Sequence, residues 1–179
     1  MSSSAAALPS QTIGWHASSS PVISLLPGEL YFGQRHLLKT LLGSCVAITL
    51  WHPQRQLGGM CHYLLPHRVR RAGEKLDGRY GDEAVLTLVS AIERAGAKTS
   101  DFICHLYGGA DTLSGATQSK FNVGERNIEQ AWAMIDRYGF QIDGIDVGDD
   151  VPRHVSIDLR TGLVDVRRGP SVKATARDS

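Results

Sequence analysis

Apolar residues come in short runs through the first third of the chain. Residues 22–26, 29–32, 37–42 and 46–51 are each predominantly apolar and separated by glycine, proline or polar positions, the spacing of successive strands. The near-continuous apolar character of Val46-Ala47-Ile48-Thr49-Leu50-Trp51 predicts a strand buried on both faces. His52-Pro53-Gln54-Arg55-Gln56 interrupts the pattern, and residues 57–65 resume it up to Pro66, predicting a hairpin. The polar stretch 67–79 reads as a loop long enough to form a rim or lid.

The period then changes. Ala84, Val85, Leu88, Val89 and Ile92 follow helical spacing, with Asp82 as the expected N-cap and Gly96 as the stop. Residues 102–107 form another strand, ending at Gly108-Gly109. A second helix is predicted from Gly124 to Tyr138, burying Ile128, Ala131, Trp132 and Ile135 and ending at Gly139. Residues 141–147 are strand-like, and residues 154–159 and 163–167 make a hairpin across Arg160-Thr161-Gly162. Hairpins with two helices predict an α+β fold, a layered sandwich of mainly antiparallel sheets with the two helices packed outside. Residues 1–20 and 169–179, rich in small and polar residues, are expected to be flexible tails around one domain over 21–168.

Composition narrows the function classes. The 179 residues are 42% hydrophobic, enough for one domain with a sizeable core. Nineteen basic against eighteen acidic residues give a net charge of +1, so no bulk field points to nucleic acid or an anionic membrane. The basic patch His67-Arg68-Val69-Arg70-Arg71 reads as a solvated loop. No run approaches the roughly 18 apolar residues of a membrane helix, and no leader pattern opens the chain, which predicts a soluble cytoplasmic protein. Three cysteines without a framework are expected to be free thiols.

The candidate chemistry lies in Leu42-Gly43-Ser44-Cys45-Val46 and in Cys61-His62-Tyr63, on the two arms of the first hairpin. A thiol attacks as thiolate, and an adjacent imidazole is the usual device for generating it near neutral pH. Gly43 opens space for a substrate carbonyl, and the N–H groups of Ser44 and Cys45 are candidate donors to an oxyanion. Against this stands the ordinary fate of such residues, since buried free cysteines and hydrogen-bonded core histidines are common. Cys61 fits that fate, because strand alternation turns it away from the face of His62, and Cys104 likewise reads as core. Cys45, Cys61, His52, His62, His67 and His105 are of zinc-binding types, but no pair has ligand spacing, so neither a metal nor another cofactor is expected.

Leu42-Gly43-Ser44-Cys45-Val46-Ala47, followed by His62-Tyr63-Leu64-Leu65-Pro66, resembles CheD, the chemoreceptor glutamine deamidase family of bacterial chemotaxis. The likeness continues through residues 79–85, Gly108-Gly109-Ala110, Val123-Gly124-Glu125-Arg126-Asn127 and Asp146-Val147-Gly148. It implies hydrolysis of glutamine side-chain amides on methyl-accepting chemotaxis receptors, with Cys45 as nucleophile and His62 as general base. It further implies a threonine shortly before the cysteine as third member, for which Thr40 is the candidate, and the phosphatase CheC as a partner in some bacteria. Many relatives carry a second glycine where this chain has Asp149. Two readings compete with the hydrolase: a regulatory protein that docks receptors or a CheC-type phosphatase without turnover, and a cysteine peptidase.

Overall fold

A computed structural model describes residues 20–112 and 122–172. The expected N-terminal tail, apart from Ser20, and residues 173–179 lie outside the described residues. Residues 169–172 are tied to the body: Gly169 N–H donates to the Pro152 carbonyl at 2.8 Å, and Val172 N–H to that of Asp150 at 3.0 Å.

The elements run β1 (Val22–Ser24), β2 (Leu30–Gly33), β3 (Leu37–Leu42), β4 (Val46–His52), β5 (Leu57–Tyr63), α1 (Gly81–Arg94), β6 (Ile103–Gly108), α2 (Val123–Tyr138), β7 (Gln141–Val147), β8 (Arg153–Asp158) and β9 (Val164–Arg168). Two sheets result, a four-stranded one ordered β1-β3-β8-β9 and a five-stranded one ordered β2-β5-β4-β6-β7. All neighbours are antiparallel except β1 with β3 and β6 with β7. The expected α+β sandwich of mainly antiparallel sheets is therefore present, with both helices on the outer side of the five-stranded sheet.

Strand alternation explains the layering. On β4, Val46, Ile48 and Leu50 face the helices and pack with Cys61 and Tyr63 of β5 and Ala84, Leu88 and Ile92 of α1. Ala47 of β4 and Met60 of β5 face the other way, where they meet Leu38 and Leu42 of β3 and Val155 and Ile157 of β8. Burying each large aliphatic side chain contributes about 1.5–3 kcal/mol, so the central hairpin stabilises both layers at once. His62 points into the second layer, between the sheets.

The structure differs from the sequence expectation at three points. The N-cap of α1 is Tyr80, which caps with no side-chain bond; Asp82 lies inside the first turn, where its carboxylate complements the helix dipole. The stripe of α2 is Gly124, Asn127, Ala131, Met134 and Ile135, while Trp132 is 40% exposed, because one helical step from Ala131 rotates it off the buried face. Arg68 of the basic patch is not simply solvated: its guanidinium pairs at 2.8 Å with Glu83, a buried carboxylate on α1 that also accepts from the Asp77 N–H at 2.7 Å. That pair anchors the 67–79 loop. After Gly148, Asp149 adopts a left-handed φ of 55°, the conformation a glycine takes without strain and aspartate tolerates better than most. Among the described residues, no helix is long and apolar enough to cross a membrane.

Candidate active site

Thr40 lies on the inner face of β3 between Leu38 and Leu42, and His62 lies on the inner face of β5. The two sheets bring them together, with Thr40 Oγ1 at 2.6 Å from His62 Nδ1. Both are buried. The preceding chain makes this possible: Pro27 and Gly28 form a turn in which Gly28 takes φ of 88° and Glu29 N–H donates to the Leu26 carbonyl at 3.0 Å. Proline then glycine at the two central positions is the sequence signature of a type II turn. The turn aims the Leu25 carbonyl at the Thr40 hydroxyl, which donates to it at 2.8 Å. It also fixes the strand of His62, whose carbonyl accepts from Gly28 N–H at 2.7 Å and whose N–H donates to the Glu29 carbonyl at 3.1 Å.

Hydrogen-bond inventory assigns the histidine tautomer. A threonine hydroxyl has one proton, and that of Thr40 goes to Leu25, so Oγ1 accepts from Nδ1–H of His62. Nε2 is then a bare acceptor. It is buried and has no hydrogen-bond partner among the described residues.

Cys45 immediately precedes β4, where Ala47 pairs with His62. Residues 45 and 47 share a face, and Cys45 packs on the inter-sheet core, so the thiol and the imidazole lie on one side of adjacent strands as diagonal neighbours. The turn that carries the thiol is held by its carbonyls. Those of Gly43 and Cys45 accept from the N–H groups of Ala110 at 3.0 Å and Gly109 at 2.8 Å, and that of Ser44 from Asn127 Nδ2 at 3.0 Å. Gly108 must be glycine here, since its φ is 104° and a Cβ would sit 2.2 Å from the Cys45 carbonyl oxygen. Among the described residues, the N–H groups of Ser44 and Cys45 donate to no other backbone group. Among the described residues, a Cβ on Gly43 would meet only the Thr112 methyl, at 3.4 Å.

Burial pushes the Cys45 thiol above its ordinary value, partly opposed by its own backbone N–H. It pulls the His62 imidazole below its ordinary value, against the Leu25 carbonyl and the charge of Glu29. Burial thus disfavours the charged form of each group. Cys45 is partly exposed, whereas Cys61 and Cys104 are buried on the helix side and pushed up to about 12. An open groove of about 500 Å³, lined by Leu25, Pro27, Lys39, Leu41 and His154, reaches Thr40 and His62 from outside.

The structure thus brings Thr40 and His62 into contact, and sets Cys45 at the start of the strand that pairs with that of His62, with Gly43 and Ser44 in the turn before it. His52 and His105 lie elsewhere, His52 against Phe102 and His105 beside Tyr107. Sequence reasoning gave no role to Asn127, a buried amide on α2 that donates to the carbonyls of both Ser44 and Leu64, the latter at 2.8 Å. An asparagine in phase with the apolar stripe of an otherwise amphipathic helix was the available signal.

A family model described as CheD chemotactic sensory transduction matches residues 64–168, a stretch that includes Asn127 and begins just beyond His62. "Probable chemoreceptor glutamine deamidase CheD 1" of Chromobacterium violaceum is 44% identical over 82% of this chain and 77% of its own length. "Probable chemoreceptor glutamine deamidase CheD" of Pseudomonas syringae pv. tomato is 41% identical over 88% of this chain and 94% of its own. The protein of the same name from Methanococcus maripaludis is 34% identical over 85% and 98%. A family match across more than half the residues, with such relatives spanning most of the rest, means that this chain belongs to the CheD family.

Proposed function

We propose that this chain is a chemoreceptor glutamine deamidase, hydrolysing side-chain amides of particular glutamines on methyl-accepting chemotaxis receptors to glutamate and ammonia. The observation that carries the reading is the orientation of His62. Thr40, whose own hydroxyl proton goes to Leu25, takes up its Nδ1–H, which leaves the Nε2 lone pair as a base on the face where Cys45 begins the neighbouring strand.

In this mechanism His62 Nε2 takes the proton of the Cys45 thiol as the sulfur attacks the amide carbon. The oxygen of the tetrahedral intermediate is met by the N–H groups of Ser44 and Cys45, the stabilisation that usually contributes most in acyl transfer. Collapse breaks the C–N bond, and the imidazolium gives its proton to the departing ammonia. A thioester to Cys45 remains. Water, deprotonated by the same nitrogen, hydrolyses it through a second oxyanion, releasing glutamate and restoring the thiol. Thr40 holds the ring in the required tautomer and touches no substrate atom.

The reading extends to setting and partners. The substrate segments are those of the receptors' cytoplasmic regions, the enzyme works in the cytoplasm, and a CheC-type phosphatase competes with receptor for it. The family resemblance supports these parts.

The test is to incubate the purified chain with cytoplasmic receptor fragments and follow ammonia release together with the mass change of glutamine to glutamate. Wild type is expected to give both, and Cys45→Ala and His62→Ala neither. Receptor binding without any turnover by wild type would replace the enzyme by a non-catalytic docking protein.

A further inference from the structure

We infer that Asn127 is a positioning residue of this site, a clamp that fixes the Cys45 N–H toward the oxyanion and ties the nucleophile's turn to the base's strand. The inference rests on the deamidase reading and adds a residue from a distant helix to it.

A trans peptide group is planar, with its C=O and N–H pointing in opposite directions. The Ser44 carbonyl and the Cys45 N–H belong to one such group. Holding the first toward α2 therefore aims the second away from α2, to the side of the thiol; the Cys45 N–H indeed acts to lower the pKa of its own sulfur. The Gly43 carbonyl and the Ser44 N–H form the preceding group, held in the same sense by the Ala110 N–H at 3.0 Å. Of the three donors that grip successive carbonyls of this turn, two are backbone groups of Gly109 and Ala110, and Asn127 is the one side chain.

The second N–H of the same amide reaches the Leu64 carbonyl at 2.8 Å, just after the end of β5 and two residues beyond His62. One rigid amide thus spans the start of β4 and the end of β5. Its own backbone is anchored in turn, because the Tyr63 hydroxyl donates to the Asn127 carbonyl. Asn127 is fully buried, so both bonds are shielded from bulk water. An aspartate there has no proton to give two carbonyls, and an alanine leaves the Ser44–Cys45 peptide free to rotate.

The test compares wild type, Asn127→Ala and Asn127→Ser on a cytoplasmic receptor fragment, with active sites counted by iodoacetamide. In the native protein that reagent counts Cys45, because Cys61 and Cys104 are buried. Alkylation taken to its end point counts the thiols whatever their rate, so it reports the amount of nucleophile independently of the clamp. In Asn127→Ala we expect kcat per alkylatable thiol to fall about 100-fold, in the range found on losing an oxyanion donor, with KM within about 3-fold. Asn127→Ser, which keeps a donor, is expected to recover part of the loss. The acid limb of the pH profile is expected to stay in place, since His62 keeps Thr40 and Leu25. A kcat per thiol unchanged in both variants, with only melting temperature lowered, would make Asn127 a structural residue and overturn the inference. If neither variant folds, through-hydrogen-bond couplings in labelled wild type decide: couplings from Asn127 Nδ2 to the Ser44 and Leu64 carbonyl carbons support the clamp, and their absence removes it. Failure of wild type to release ammonia would overturn the deamidase reading, while those couplings still report on the clamp.

Discussion

His62 has two ring nitrogens with separate fates, and the proposed chemistry depends on their staying separate. Thr40→Val keeps shape but removes the oxygen that receives Nδ1–H. We expect kcat to fall about 100-fold, the scale of a general base held in the wrong state, while Thr40→Ser stays within a few-fold. Steady-state kinetics on a receptor fragment checks both. Burial lowers the His62 pKa, so the acid limb of kcat/KM should lie below the ordinary imidazole value of about 6.5. The sign for stability is the same: the unfolded chain binds the proton more readily, so this contribution is complete above about pH 6.5 and is lost as pH falls to the depressed folded value. Because burial also raises the Cys45 thiol, alkylation should accelerate only toward alkaline pH; a rate already at plateau near pH 5 would mean a preformed thiolate–imidazolium pair. At this scale the sequence was readable where alternation governs. Period two separated Cys61 from His62 correctly. It gave no sign of Asn127, whose bonds join Ser44 and Leu64 to a helix more than sixty residues further along.

The elements meet tightly where α2 begins. A Cβ on Gly124 would lie 2.5 Å from the Gly109 carbonyl oxygen and 2.6 Å from that of Ala110, backbone on both sides. Gly109 itself has φ of 68° and touches Ile128 of the same helix. The glycine turn that holds the carbonyls around Cys45 is thus wedged against the first turn of α2. We expect Gly124→Ala to cost about 1–3 kcal/mol by overpacking and also to lower kcat, because the residue it displaces supports the turn of Cys45, the proposed nucleophile. Thermal unfolding and kinetics on the same preparation separate the two effects. Helix extent was legible from the 3.6-residue pattern, and Gly139 ends α2 in a left-handed cap as expected. The start of α1 was not, because the sequence offered Asp82 as a cap while tertiary bonds fix the entry: Gly81 and Asp82 N–H donate to the carbonyls of Leu65 and Pro66.

Across the whole molecule, the proposed site exists only because two sheets face each other: Thr40 comes from one, and His62 and Cys45 from the other or its margin. The strands could be read from the chain, but their division between sheets could not, since β1 joins β3 while β2, between them in sequence, joins β5. At another margin the sheets are clamped by charge. Arg153 of β8, fully buried, pairs at 3.0 Å with Asp146 of β7, whose carboxylate Arg168 and Arg153 hold below its usual range. Asp146→Ala strands the Arg153 cation and should cost about 3–5 kcal/mol in urea unfolding. A loss under about 1 kcal/mol would mean that the guanidinium finds another partner. The central claim concerns the covalent step, that the glutamine acyl group passes through Cys45. Hydroxylamine intercepts a thioester, so wild type acting on a receptor fragment in its presence should yield the glutamyl hydroxamate alongside glutamate at the same positions, by peptide mass spectrometry, and Cys45→Ala neither. Glutamate formed by Cys45→Ala, or formed by wild type with no trace of hydroxamate, would contradict it.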